Sequence, residues 1–297
     1  MEQRKGSYNE FDNNPIELQS RQIKGGAPMA KHKRVWNESQ YRRYLAEGRG
    51  QGTMENYKPW VQIQDFPSKG IVSRVKGRKT GRVHHLMSNL ELGFFYLLDW
   101  SEITSDIREQ YPLDDIADAI SVAEEAGIRY PYDKSSGFPY VMTSDFLITK
   151  HDEMVARAVK PSSELKKPRV REKLEIERRY WQRRGVSWKL VTEKEIPRTK
   201  VRNIEWLCSG MSAYELIADE RQRAACAAFF IELYENADLP LAMILQRVEH
   251  DFDLVEGTGI SVFKMLICEK KIVLNLDEEI DLTRTGKQAF YGQHLYQ

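Results

Sequence analysis

The sequence predicts an α/β domain followed by a mainly helical one. Two neighbouring runs, YVMTSDFLIT and EMVARAVKP, are rich in Tyr, Val, Phe, Leu and Ile and are joined by the polar Lys150, His151 and Asp152, the pattern of a β-hairpin. A long helix then opens at Pro168, a favoured first-turn residue, runs through VREKLEIERRYWQRR and stops at Gly185. Beyond WKLVTEKEIP the apolar spacing is mostly helical, and 297 residues are enough for two modest domains.

Taken in order, residues 1–50 are expected to be a basic, flexible extension, interrupted by Gly25, Gly26, Gly48, Gly50 and Gly52, with one short helix around NESQYRRYLAEG. Residues 51–185 hold the α/β domain. VQIQDF reads as a strand and RVKGRKTGR as a basic loop; a helix follows near 89–100, a strand at IREQYPL, an acidic helix at DDIADAISVAEEAG, then the hairpin and the long helix. Residues 186–297 form the helical domain, with FKMLICEKKIVLNL expected as a closing hairpin.

Composition narrows the class. Charged residues make up 30% and no apolar run approaches the roughly 18 to 20 residues needed to span a bilayer. The opening MEQRKGSYNEFDNN has no apolar leader core, and Cys208, Cys226 and Cys268 are too scattered for a zinc site or disulfide framework, so a reducing cytoplasm is expected. The net charge of +1 hides a strong bias: 17 Lys and Arg against 8 Asp and Glu over residues 1–90, 4 against 12 over 91–150, and 16 against 9 over 151–205. The densest basic stretch carries Arg74, Lys76, Arg78, Lys79 and Arg82, with His84 just beyond. It reads either as a solvated loop or as a surface for a phosphate backbone.

Four residues stand out as candidates for chemistry. Asp145 and Lys160, on the two strands of the hairpin, read as an ion pair or as the acid and ammonium of a metal-dependent phosphodiester hydrolase. Glu91 stands three residues after Ser88, the capping-box spacing, and beside the apolar face of Leu90, Phe94, Leu97 and Leu98, so it is either a cap or a site carboxylate. Glu177 shares one face of the long helix with Val170, Leu174 and Trp181 and is expected to point inward, paired with Arg178 or facing a cation; Glu175 lies on another face.

In order, SNLELGFFYLLDW, IREQYPL, TSDFLIT, ARAVKP, LEIERRYW, WKLVTEKEIP and NIEWL resemble the TnsA family, the endonuclease subunits of heteromeric cut-and-paste transposases, over about residues 60–210. The resemblance implies a restriction-endonuclease-like mixed sheet flanked by helices and a winged-helix-like C-terminal domain. It implies Glu91, Asp145, Lys160 and Glu177 as catalytic residues. Ala158 stands where restriction enzymes carry a second acid, so Mg2+ (or Mn2+) would be held by Glu91 and Asp145 with the carbonyls of Phe146 and Val159. The implied partners are double-stranded DNA at transposon ends, a TnsB-type transposase and a TnsC-type ATPase, in a bacterial cytoplasm and on the nucleoid when DNA-bound. A non-catalytic DNA–transposase adaptor and a stand-alone restriction-like nuclease are the alternatives.

Overall fold

A four-stranded mixed sheet between two helical layers organises the chain. The computed structural model describes residues 35–65, 72–210 and 212–290, Phe290 by its backbone alone; most of the basic extension, residues 1–34, lies outside the described residues. The first described helix, α1 (Glu38–Ala46), is capped by Asn37, whose side chain accepts from the Gln40 amide at 3.0 Å. Residues 36–50 are not a loose extension. Trp36, Tyr44 and Trp60 form a buried aromatic cluster packed on Tyr41 and Phe138, and the Trp36 indole donates to the Pro139 carbonyl at 2.9 Å. Burying several aromatic rings outweighs the glycine content of this stretch.

VQIQDF reads as a strand in the sequence; of its described residues, 61–65, Ile63–Asp65 form a 3-10 turn instead, because Asp65 accepts from the Gln62 amide at 2.8 Å and pairs with buried Arg49 at 2.5 Å, while Phe66 lies outside the described residues. The basic stretch is a hairpin, β1 (Ser73–Lys76) and β2 (Val83–Leu86). Its turn needs Gly77, since a Cβ there would stand 2.7 Å from His84 Nε2. Helix α2 (Asn89–Trp100) follows, then β3 (Thr104–Pro112) and α3 (Ile116–Glu125). The expected hairpin is β4 (Thr143–Lys150) and β5 (Glu153–Val159), turning at His151 and Asp152, both at positive φ. The expected long helix is α4 (Pro168–Arg183), and β6 (Ser187–Val191) follows it.

The sheet order is β3-β4-β5-β6, antiparallel except for the parallel β5–β6 pair, so the sheet continues past residue 185. On one face Ile107, Phe146, Ile148, Val155 and Val159 pack with Phe95 and Leu98 of α2 in a core that continues into the C-terminal helices. On the other, Leu147 and Ala156 pack with Val122 of α3 and with Ile176, Tyr180 and Trp181 of α4. The faces alternate along β5 and, in β4, from Phe146 to Ile148, as the two-residue strand period requires.

The remaining helices are α5 (Arg198–Leu207), α6 (Ala213–Leu216), α7 (Glu220–Asn236), α8 (Leu241–Asp251), α9 (Thr258–Cys268) and α10 (Gly286–Phe290). The expected closing hairpin is absent among the described residues. FKMLIC is the second half of α9, where Val262, Phe263, Leu266 and Ile267 recur at helical spacing and are buried together, and the residues after it pair with no strand. The described C-terminal region is thus helical without a β wing. No helix among the described residues is long and apolar enough to cross a membrane.

Candidate active site

Asp145 and Lys160 meet where β4 and β5 lie side by side. Lys160, one residue beyond β5, is fixed by the hydrogen bond its backbone amide donates to the Val191 carbonyl of β6 (3.0 Å), and its ammonium donates to Asp145 Oδ2 at 2.8 Å and Oδ1 at 3.1 Å. The Val159 amide also donates to Oδ2, at 2.6 Å. Asp145 is buried, whereas the Lys160 side chain keeps about a third of its surface (36%) open. Burial works against the Lys160 charge, but Asp145, and then Glu91 and Glu177, outweigh it and hold the pKa above the ordinary lysine value.

Glu91 takes the capping role its spacing allowed. Ser88 Oγ accepts from the Glu91 amide at 3.1 Å, capping α2, and the Glu91 carboxylate accepts from the Met87 amide at 2.9 Å and from Ser88 Oγ at 3.0 Å. The bond back reaches one residue beyond the cap, a variant of the capping box. The same carboxylate is buried and close enough to Asp145 to feel its charge: burial first and Asp145 second push its pKa up to about 7, against the bonds from Met87 and Ser88. It also accepts from Gln110 Nε2 at 3.2 Å.

Glu177 points inward from α4, as its face predicted. Ser144 Oγ donates to Oε1 at 2.6 Å and the Trp188 indole to the same oxygen at 2.9 Å, while the Trp181 indole donates to Ser144 Oγ at 2.7 Å. Arg178 is not its partner; it pairs with Glu175 at 2.8 Å. Burial and the Asp145 charge raise Glu177 to about 7 as well. Asp145, Glu91 and Glu177 all act on the one Lys160 ammonium at this end of the sheet, and burial first and Asp145 second raise the two glutamates. Among the described residues no three His, Cys, Asp or Glu side chains stand close enough to form a metal-ligand group by themselves.

Ala158 is buried opposite Asp145, in the register set by the Phe146–Arg157 pair, and brings no carboxylate. Phe146 is laddered to Glu109 on one side and Arg157 on the other, which draws its carbonyl into the sheet; Val159 sits at the strand end beside Asp145.

The basic hairpin divides into two sets. Arg82 and His84 do not form a DNA surface, because both are interior: Arg82 pairs with the fully buried Glu109 at 2.6 Å and donates to the Ile107 carbonyl at 2.7 Å. His84 Nδ1 donates to Glu109 at 2.7 Å, and its Nε2 lies 2.7 Å from Thr80 Oγ1. Burial alone would raise the Glu109 pKa, but bonds from Arg82 and His84 hold it down at about 2. Arg74, Lys76 and Arg78 remain exposed and Lys79 half-buried. The exposed three line a groove of about 660 Å³ shared with Lys264 of α9. Sequence reasoning passed over Ser144 and Trp188, which fix Glu177, and Gln110, a polar residue buried within an otherwise ordinary strand.

Comparison with known proteins agrees with this arrangement. The family model TnsA-like endonuclease N terminal matches residues 101–193, and TnsA endonuclease C terminal matches residues 195–276. The class is that of an endonuclease with a sheet-bearing N-terminal part and a helical C-terminal part. Transposon Tn7 transposition protein TnsA of Escherichia coli is 38% identical over 251 residues, 84% of this chain and 90% of that protein. The chain belongs to the TnsA family of transposition endonucleases.

Proposed function

We propose that the protein is a Mg2+-dependent endonuclease that cuts the 5′ strand at each transposon end, and that Glu91, Asp145 and Lys160 carry the reaction on a restriction-endonuclease-like fold. The observation that carries this reading is the buried Glu91 carboxylate, held by Met87, Ser88 and Gln110 within reach of the Asp145 charge. A buried carboxylate lifted to about 7 by burial and a neighbouring charge is stabilised when a cation joins it. Two carboxylates, with the Val159 carbonyl, fit Mg2+, which commonly takes one or two carboxylates and fills its shell with water and phosphate oxygen. Mg2+, or Mn2+ in its place, would supply Lewis-acid stabilisation of the phosphate and a more acidic water.

Lys160 remains an ammonium at neutral pH, because Asp145 and the two glutamates hold its pKa up. It is therefore a donor to the charge that develops on the scissile phosphate, and not a general base. The Val159 amide and Lys160 together fix the Asp145 carboxylate. Glu177, enclosed by Ser144 and Trp188, balances the charge of Lys160 from within the α4 face. A non-catalytic adaptor would have no use for three interior carboxylates and an ammonium at one sheet end, since unbalanced buried charge costs several kcal/mol.

Exposed Arg74, Lys76 and Arg78, with half-buried Lys79, would run along the DNA backbone, and a TnsB-type transposase and a TnsC-type ATPase would complete the assembly. The test uses transposon-end DNA labelled on each strand, with the partner transposase and Mg2+. Asp145→Ala and Lys160→Ala should each lose the 5′-strand nick while the other strand is still cut. Normal nicking by either variant would refute the assignment, and nicking by the wild type without any partner would make it a stand-alone nuclease.

A further inference from the structure

Among the described strand residues of the four-stranded sheet, Gln110 alone has a positive φ. Its φ is +48°, in the left-handed region, where a residue other than glycine costs about 1–3 kcal/mol and Asn or Asp is the commoner exception. The consequence is visible in its neighbours. Ile107 packs with Leu86 and Phe95 on the α2 side, and Glu109 bonds Arg82 and His84 on that side. Tyr111 packs against Trp181, and Leu113 joins Ile176, both on the α4 side. Residues 107, 109, 111 and 113 would share one face of an uninterrupted strand. The strand therefore turns over at residue 110.

The position of the turn-over matters. The pairs Glu109–Phe146 and Tyr111–Ser144 put Gln110 opposite Asp145 on the neighbouring strand. Its carbonyl accepts from the Trp60 amide at 3.2 Å, tying β3 to the aromatic cluster. Its buried amide donates to Glu91 Oε2 at 3.2 Å, and its Oε1 accepts from Thr143 Oγ1 at 3.4 Å. Strain, register and hydrogen bonding converge on one residue, opposite Asp145 in the ladder and bonded to Glu91.

We propose that Gln110 is a positioning residue: its left-handed backbone turns β3 over at the level of Asp145, and its amide, backed by Thr143, fixes the Glu91 carboxylate in the orientation that takes a divalent cation together with Asp145. This rests on the reading of Glu91 and Asp145 as the metal-holding pair. A purely structural Gln110 would serve only the exchange of faces, and the bond to Glu91 would be incidental.

The experiment measures Mn2+ binding to the DNA-free, full-length protein by calorimetry, alongside thermal unfolding. Gln110→Asn keeps a residue at ease in the left-handed region but falls one methylene short of Glu91; it should unfold within about 3 °C of the wild type and bind Mn2+ about 10-fold to 100-fold more weakly. Gln110→Gly removes the backbone strain and the amide together and should show the same loss of affinity, so it carries the test should Gln110→Asn fail to fold. In a Glu91→Gln background Gln110→Asn should add nothing further. Wild-type Mn2+ affinity in folded Gln110→Asn and Gln110→Gly, with a loss in Glu91→Gln, would overturn the positioning role and leave the site reading standing. Wild-type affinity in Glu91→Gln would overturn the site reading and this inference with it.

Discussion

Lys160 binds both oxygens of Asp145, at 2.8 and 3.1 Å, from the end of the strand that also delivers the Val159 amide to Oδ2. The acid is thus held from the end of β5, and three hydrogen bonds from two donors converge on one carboxylate. Because Lys160 is partly open to solvent, its worth to stability is that of a half-screened pair, about 1–2 kcal/mol. In the proposed reaction its worth to a phosphoryl transition state would be larger. Lys160→Met should unfold within a few degrees of the wild type, as read by circular dichroism, and nick DNA about 10³-fold more slowly.

Glu177 gives a pH signature. Its folded pKa of about 7 lies above its unfolded value, so its contribution to stability is fully present below about 4.5 and is lost as pH rises through about 7. Glu177→Gln keeps an oxygen for Ser144 and Trp188 and removes the ionisation. Urea titrations of the metal-free protein should find the variant gaining on the wild type between pH 4.5 and 7, by up to about 3 kcal/mol. A constant difference across that range would contradict the assignment.

The Arg82–Glu109–His84 network behaves in the opposite sense. Glu109 is depressed to about 2, so its stabilisation is present above its unfolded value near 4.5 and fades as pH falls toward 2. Arg82→Met leaves a buried carboxylate without its cation and should cost about 3–5 kcal/mol by chemical denaturation. Arg74→Ala and Lys76→Ala, on exposed β1, should leave stability within about 0.5 kcal/mol. Each should instead flatten the salt dependence of DNA binding by about one phosphate contact.

Metal binding should appear in unfolding as well as in cutting. Mn2+ at about 100 times its dissociation constant should stabilise the wild type by about 2.7 kcal/mol and leave Asp145→Asn unmoved. A differential scan with and without Mn2+ reads both.

Periodicity and side-chain type made much of this site legible. The hairpin of β4 and β5 followed from two apolar runs around Lys150, His151 and Asp152, and the inward aim of Glu177 from its spacing with Leu174 and Trp181. Local pattern failed where distant partners decide. VQIQDF alternates like a strand, yet Arg49 and Asp65 hold it as a turn; FKMLIC is apolar enough for a strand, yet its buried side chains recur at helical spacing. Arg82 and His84 are polar residues in a basic run, and only Glu109 on another strand explains why they are buried. Gln110 gave no signal, because a reversal of strand face is a property of the backbone and of the two cores it must serve.

In the proposed site Glu91 and Asp145 together hold a divalent cation beside Lys160. Anomalous scattering from a crystal of the protein soaked in Mn2+ should show a peak between the Asp145 and Glu91 carboxylates, absent in Asp145→Asn; an empty space there at a saturating Mn2+ concentration, or a peak bound by other residues, would refute that site.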